Sequence, residues 1–72
     1  MAEMNYSERE ARLSVLADEM VVYRAKHRLN QTEFGKLCGL TTQTICSVEQ
    51  KLQTPSRLTE AKIRLVLDGD KA

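Results

Sequence analysis

Little in this chain of 72 residues is equipped to make or break bonds. Its cysteines, Cys38 and Cys46, and its single histidine, His27, are three soft ligands where a structural zinc site normally needs four. There is no Gly-rich phosphate loop, no Ser/His/Asp set and no pair of carboxylates in one predicted pocket. No catalytic residue, metal or cofactor is therefore assigned, and an enzyme is not expected. What remains is the chemistry of hydrogen bonding. The stretch 41–50 contains Thr42, Gln43, Thr44 and Ser47 but no Lys or Arg. A glutamine amide can pair bidentately with adenine in the major groove, and a threonine methyl can touch a thymine methyl.

Charge is distributed unevenly around that stretch. The net charge is only +1. Residues 1–23 set Arg9 and Arg12 against Glu3, Glu8, Glu10, Asp18 and Glu19, a balance of −3. Residues 24–57 set Arg24, Lys26, Arg28, Lys36, Lys51 and Arg57 against Glu33 and Glu49, a balance of +4. The central stretch 24–57 is thus where a phosphate-facing surface would lie. No apolar run approaches the roughly 18 residues that span a bilayer, and the acidic, polar start reads as neither signal nor transit peptide. We expect a cytoplasmic protein without a membrane partner, its cysteines reduced and acting as small apolar filler.

The elements that must position these residues read as an all-α chain of four to five helices in a single domain, 1–72. Residues 1–6 read as a flexible arm. Ser7 and Glu10 form a capping box for a long first helix to about His27, with Leu13, Leu16, Ala17, Met20 and Tyr23 on its main apolar face. Ala11, Val15 and Val22 form a second stripe nearly opposite. Asn30 and Glu33 form another capping box, opening a second helix to about Cys38 with Phe34, Leu37 and Cys38 inward. Gly39 stops it, since glycine tolerates the left-handed conformation needed there. Thr41 caps a third helix to about Gln50, with Ile45 and Val48 inward. After a loop closed by Pro55, Ser56 caps a last helix to about Asp68.

Two short helices joined by a tight Gly-containing turn, here over a core motif at 30–50, are the skeleton of a helix-turn-helix. The stretch YRAKHRLNQTEFGKLCGLTTQTICSVEQKLQTPS, residues 23–56, resembles the Cro/CI (XRE-like) family of repressors. The resemblance is carried in register by Arg24, Leu29, Asn30, Gln31, Gly39, Thr41, Gln43, Thr44, Ile45, Glu49, Pro55 and Ser56. It implies a lambda-repressor-like helix-turn-helix bundle, and a phage or mobile-element regulator of transcription that binds an operator in double-stranded DNA. On that resemblance Thr42, Gln43 and Ser47 read bases from the third helix. Gln31 holds a phosphate at the start of the second helix. Thr44 either donates to a phosphate or caps locally. Lys26, Arg28, Lys36, Lys51 and Arg57 are the basic residues able to approach the backbone. Arg24 and Glu49 resemble the family's structural ion pair. The chain departs from the family at Lys51, where glycine is usual, which implies a longer helix or a strained cap. It departs again at Gly35, where alanine is usual, and in a first helix extended by about ten residues before Ala17.

Two partner readings stand side by side. In the first, a homodimeric Cro-like repressor binds DNA half-sites one turn apart. Ile63, Val66 and Leu67 of the last helix then serve the core, while Leu58, Ala61 and Leu65 meet either a second copy or the long first helix. In the second, an antirepressor with the same fold binds another repressor protein, using surfaces such as the Val15 and Val22 stripe. The absence of Lys and Arg from the third helix and the small net charge favour that alternative.

Overall fold

A computed structural model of the chain describes residues 6–69. These form four helices and no strand: α1 (Tyr6–His27), α2 (Gln31–Cys38), α3 (Thr42–Glu49) and α4 (Arg57–Gly69). The chain is all-helical, with four helices rather than five among the described residues. Helix α1 already includes Tyr6 and Ser7, so Ser7 stands inside the helix and not before it. The remainder of the arm expected over 1–6 lies outside the described residues.

Local chemistry sets the helix ends. Glu8 near the start of α1 and Arg24, Lys26 and His27 in its last turn suit the helix dipole. Helix α1 stops at His27, and Arg28 follows in the left-handed region at φ 55°, while Leu29 N–H donates to the Arg24 carbonyl at 2.8 Å. The capping box of α2 is complete: Glu33 N–H donates to Asn30 Oδ1 at 2.7 Å, and Asn30 N–H to Glu33 Oε1 at 2.9 Å. Gly39 ends α2 at φ 71°, as a left-handed cap. Thr41 caps α3, accepting from Thr44 N–H at 3.1 Å, and Ser56 accepts from Thr59 N–H at 3.2 Å at the start of α4.

Helix α3 stops at Glu49, and Gln50 is its C-cap. Lys51 then takes φ 61°, so of the two outcomes its side chain implied, the strained cap is the one present. A left-handed conformation at a residue with a Cβ costs roughly 1–2 kcal/mol.

The core gathers one face from each helix: Leu16, Ala17 and Met20 of α1, Phe34 and Cys38 of α2, Ile45 and Val48 of α3, and Ile63 and Leu67 of α4. Leu13, Tyr23, Leu29, Leu40 and Val66 pack around it, half-buried. Leu37, expected inside, is 55% exposed. Its position lies roughly 100° around the helix from the centre of the face formed by Phe34, Gly35 and Cys38, too far to share it. Helix α2 packs on both α3 and α4, and α1 also packs on both.

Helix α1 is tied to α4 by charge at two points, of which only Arg12 lies in the N-terminal extension. Arg12 Nε lies 2.9 Å from Glu60 Oε2, and Arg64 Nη1 lies 2.6 Å from Glu19 Oε2. The stripe Leu58, Ala61 and Leu65 is not covered by α1: Leu58 and Leu65 are 67% and 76% exposed. Among the described residues no helix is long and apolar enough to cross a membrane.

Candidate nucleic-acid interface

The α2–turn–α3 unit is tight because its glycines allow it. A Cβ built on Gly35 would stand 2.8 Å from the Leu40 carbonyl oxygen and 3.4 Å from Ile45 Cγ1. The bare glycine therefore lets the turn after α2 fold back against the helix, where Leu40 N–H donates to the Gly35 carbonyl at 2.8 Å. Ile45 and Val48 anchor α3 from behind. Thr42 and Gln43 are left exposed on its first turn, and Ser47 is half-buried further along.

Three of the site residues expected from the sequence, Thr44, Thr42 and Gln31, carry hydrogen bonds that bear on their use. Thr44 engages Thr41 twice, through its own N–H and through a hydroxyl–hydroxyl contact of 2.9 Å, which is the local capping role. Thr42 Oγ1 donates across the turn to Thr32 Oγ1 at 2.9 Å. Gln31 is half-buried, and its Nε2 donates to Glu49 Oε1 at 3.0 Å. That bond uses one of the two amide protons and leaves the other for an anion.

Glu49 is the hub. Its side chain is 5% exposed, and it accepts from Arg24 Nε and Nη2, both at 2.7 Å, as well as from Gln31. The paired bonds from Arg24 make a bidentate fork. Arg24 Nη1 also donates to the Leu29 carbonyl at 3.2 Å, fastening the turn between α1 and α2. These Glu49 hydrogen bonds hold the Arg24 guanidinium above its ordinary value, against an opposing push from burial. Every polar atom of this knot that is fully buried has a partner.

The basic residues are dispersed. Arg28, Lys36 and Arg57 are exposed at the end of α1, on α2 and at the start of α4. Lys51 Nζ lies 3.7 Å from Asp18 Oδ1, so part of its charge is offset. Lys26 lines a groove of about 430 Å³ between α1 and α4, with Val15, Val22, Tyr23 and Leu67. Val15 and Val22 are exposed along it, at 53% and 65%.

His27 stacks on Tyr23 with ring centroids 4.2 Å apart, and Tyr23 in turn leans on Phe34. Cys38 is buried, and burial pushes its thiol up to about 11; Cys46 is half-buried. No group of three or more His, Cys, Asp and Glu among the described residues is arranged to hold a metal.

Sequence reasoning did not find Thr32 or the Gln31–Glu49 bond. The signal for the bond was present, since Gln31 and Glu49 both belong to the motif, but a link across 18 residues has no local signature. Comparison with known proteins adds no relative: no family model, curated protein or solved structure matches the chain significantly.

Proposed function

We propose that this protein is a sequence-specific DNA-binding regulator of the Cro-like type, with a lambda-repressor-like helix-turn-helix, and that α3 enters the major groove. The single observation that carries the reading is the presentation of α3. Its Thr42–Gln43 edge is exposed, its opposite side is buried through Ile45 and Val48, and its end is locked to α1 and α2 through Glu49. A rigid polar edge of this kind is what base readout requires. Gln31 supplies a phosphate clamp at the start of α2, and Arg28, Lys36 and Arg57 supply backbone charge. Thr44 is engaged by the Thr41 cap in this reading, and Lys26 and Lys51 contribute only to the overall field. The stripe Leu58, Ala61 and Leu65 is assigned to a second copy, which would place two α3 helices on half-sites one turn apart.

The absence of Lys and Arg from α3 favours a second reading. In it the same fold acts as an antirepressor, turning the uncharged face or the Val15 and Val22 groove toward another repressor protein. Binding to a pool of randomised duplexes at two salt concentrations separates the two. A DNA regulator loses affinity steeply as salt rises, with a slope set by the number of phosphates it neutralises. A protein-directed module binds no duplex at either concentration. Sedimentation of the protein with and without Leu65→Glu tests the second copy: a dimer that becomes a monomer supports the assignment, and an unchanged mass removes it.

A further inference from the structure

We infer that Thr32 is a positioning residue for the reading edge, and that it makes Thr42 recognise a C5-methyl pyrimidine, thymine in DNA, through its methyl group and not its hydroxyl. This rests on the DNA reading above and names one base chemistry within it.

The observation is the bond from Thr42 Oγ1 to Thr32 Oγ1, 2.9 Å long and spanning ten residues of chain. Thr42 is the first residue of α3 and Thr32 the second of α2, and both are exposed. The neighbouring Thr41 does not compete for Thr32, because its oxygen is engaged within α3 by Thr44. A hydroxyl that leaves water without a partner carries a desolvation penalty large enough to cancel the gain from an apolar contact. Thr42 brings its partner with it. Its one proton is spent inside the protein, so the side chain can be dehydrated against a base without an orphaned donor. What it then offers is a methyl group, whose counterpart in the major groove is the C5-methyl of thymine. An oxygen lone pair also remains, and it is the competing way for Thr42 to act, as an acceptor from an amino group.

The test uses the full chain. A preferred duplex is first selected from a randomised pool. Each thymine in it is then replaced by deoxyuridine, which lacks only the C5-methyl. Affinity is expected to fall about fourfold at one thymine of the site, the equivalent of one buried methyl group. Thr42→Val, which keeps a methyl and removes the oxygen, is expected to bind the parent site within about twofold and to keep the deoxyuridine effect. Thr42→Ser is expected to lose about fourfold on the parent site and to become indifferent to deoxyuridine. Thr32→Val removes the acceptor, and is expected to weaken binding to the thymine site more than to its deoxyuridine version.

A preferred site with no thymine sensitive to this exchange overturns the inference while leaving the DNA reading intact. So does a loss of roughly tenfold or more with Thr42→Val, which would exceed one methyl contact and point to the oxygen. No salt-sensitive duplex binding by the unmodified protein overturns both. The deoxyuridine exchange alters only the DNA, so it stands even if a variant fails to fold.

Discussion

Removing Glu49 should damage this fold more than an ordinary surface charge would, and the amount can be worked from its surroundings. The Glu49 carboxylate is 5% exposed and the Arg24 side chain 21%. Breaking a buried ion pair by deleting one partner costs about 3–5 kcal/mol, because the remaining charge is stranded. Glu49→Leu strands Arg24, which keeps one carbonyl partner at Leu29 and can turn partly to water. Its cost belongs at the low end, about 3 kcal/mol. Arg24→Met strands the more deeply buried carboxylate and should cost more. The double variant Arg24→Met/Glu49→Leu leaves no charge behind and should recover most of the loss.

A chain of this length has about 4–11 kcal/mol of stability in all, so a single 3 kcal/mol loss is a large share. It corresponds to a fall in Tm of about 12–24 °C for a domain of this size. Thermal and urea melts followed by circular dichroism, on the two single variants and the double, form the cycle. A cost below about 1 kcal/mol for Glu49→Leu would match a solvated surface pair and would refute the knot as the brace of α3.

Three other substitutions probe the frame around the site. Gly35→Ala gains roughly 1 kcal/mol of helix propensity but drives its Cβ against the Leu40 carbonyl, so a net loss of about 1–2 kcal/mol is expected in urea melts; a gain would show that the turn yields. Lys51→Gly should stabilise by about 1 kcal/mol, because it relieves the left-handed backbone and gives up only an exposed contact with Asp18; a loss would give that contact a weight it is not assigned here. Cys38 is held protonated by burial, with its thiol up at about 11 against 9.0 in the unfolded chain. Its contribution to stability is therefore complete below pH 9 and is lost as pH rises through 11. Melts across that window should show a steeper decline for the native chain than for Cys38→Ala, and parallel curves would count against the burial.

The parts of this fold that were legible in the sequence are those whose cause is local. Asn30 with Glu33, Gly39, Thr41 and Ser56 mark helix ends because each acts within four residues of itself, and the apolar period placed Leu16, Met20, Phe34, Ile45 and Ile63 inside. What could not be read was distant or unusual. Arg12–Glu60 and Arg64–Glu19 join residues 48 and 45 apart, and no period announces them. Arg28 adopts a left-handed backbone that glycine or asparagine would have advertised. Leu37 looked like core by type, and only the position of the face formed by Phe34 and Cys38 shows that it points away. Of the candidate site, the exposed Thr42 and Gln43 followed from the motif, whereas the Thr32 bond beneath them depends on how closely α2 and α3 approach.

The measurement that bears most directly on the reading edge is a comparison of the duplexes selected from one randomised pool by the native chain and by Gln43→Ala. If α3 lies in the major groove with Gln43 paired to a base, the variant should still bind but lose about 1–3 kcal/mol of discrimination at one base pair of the half-site, with the rest of the preference unchanged. The same selected sequence from both proteins would contradict that placement of Gln43, and with it the assignment of α3 as the element that reads DNA.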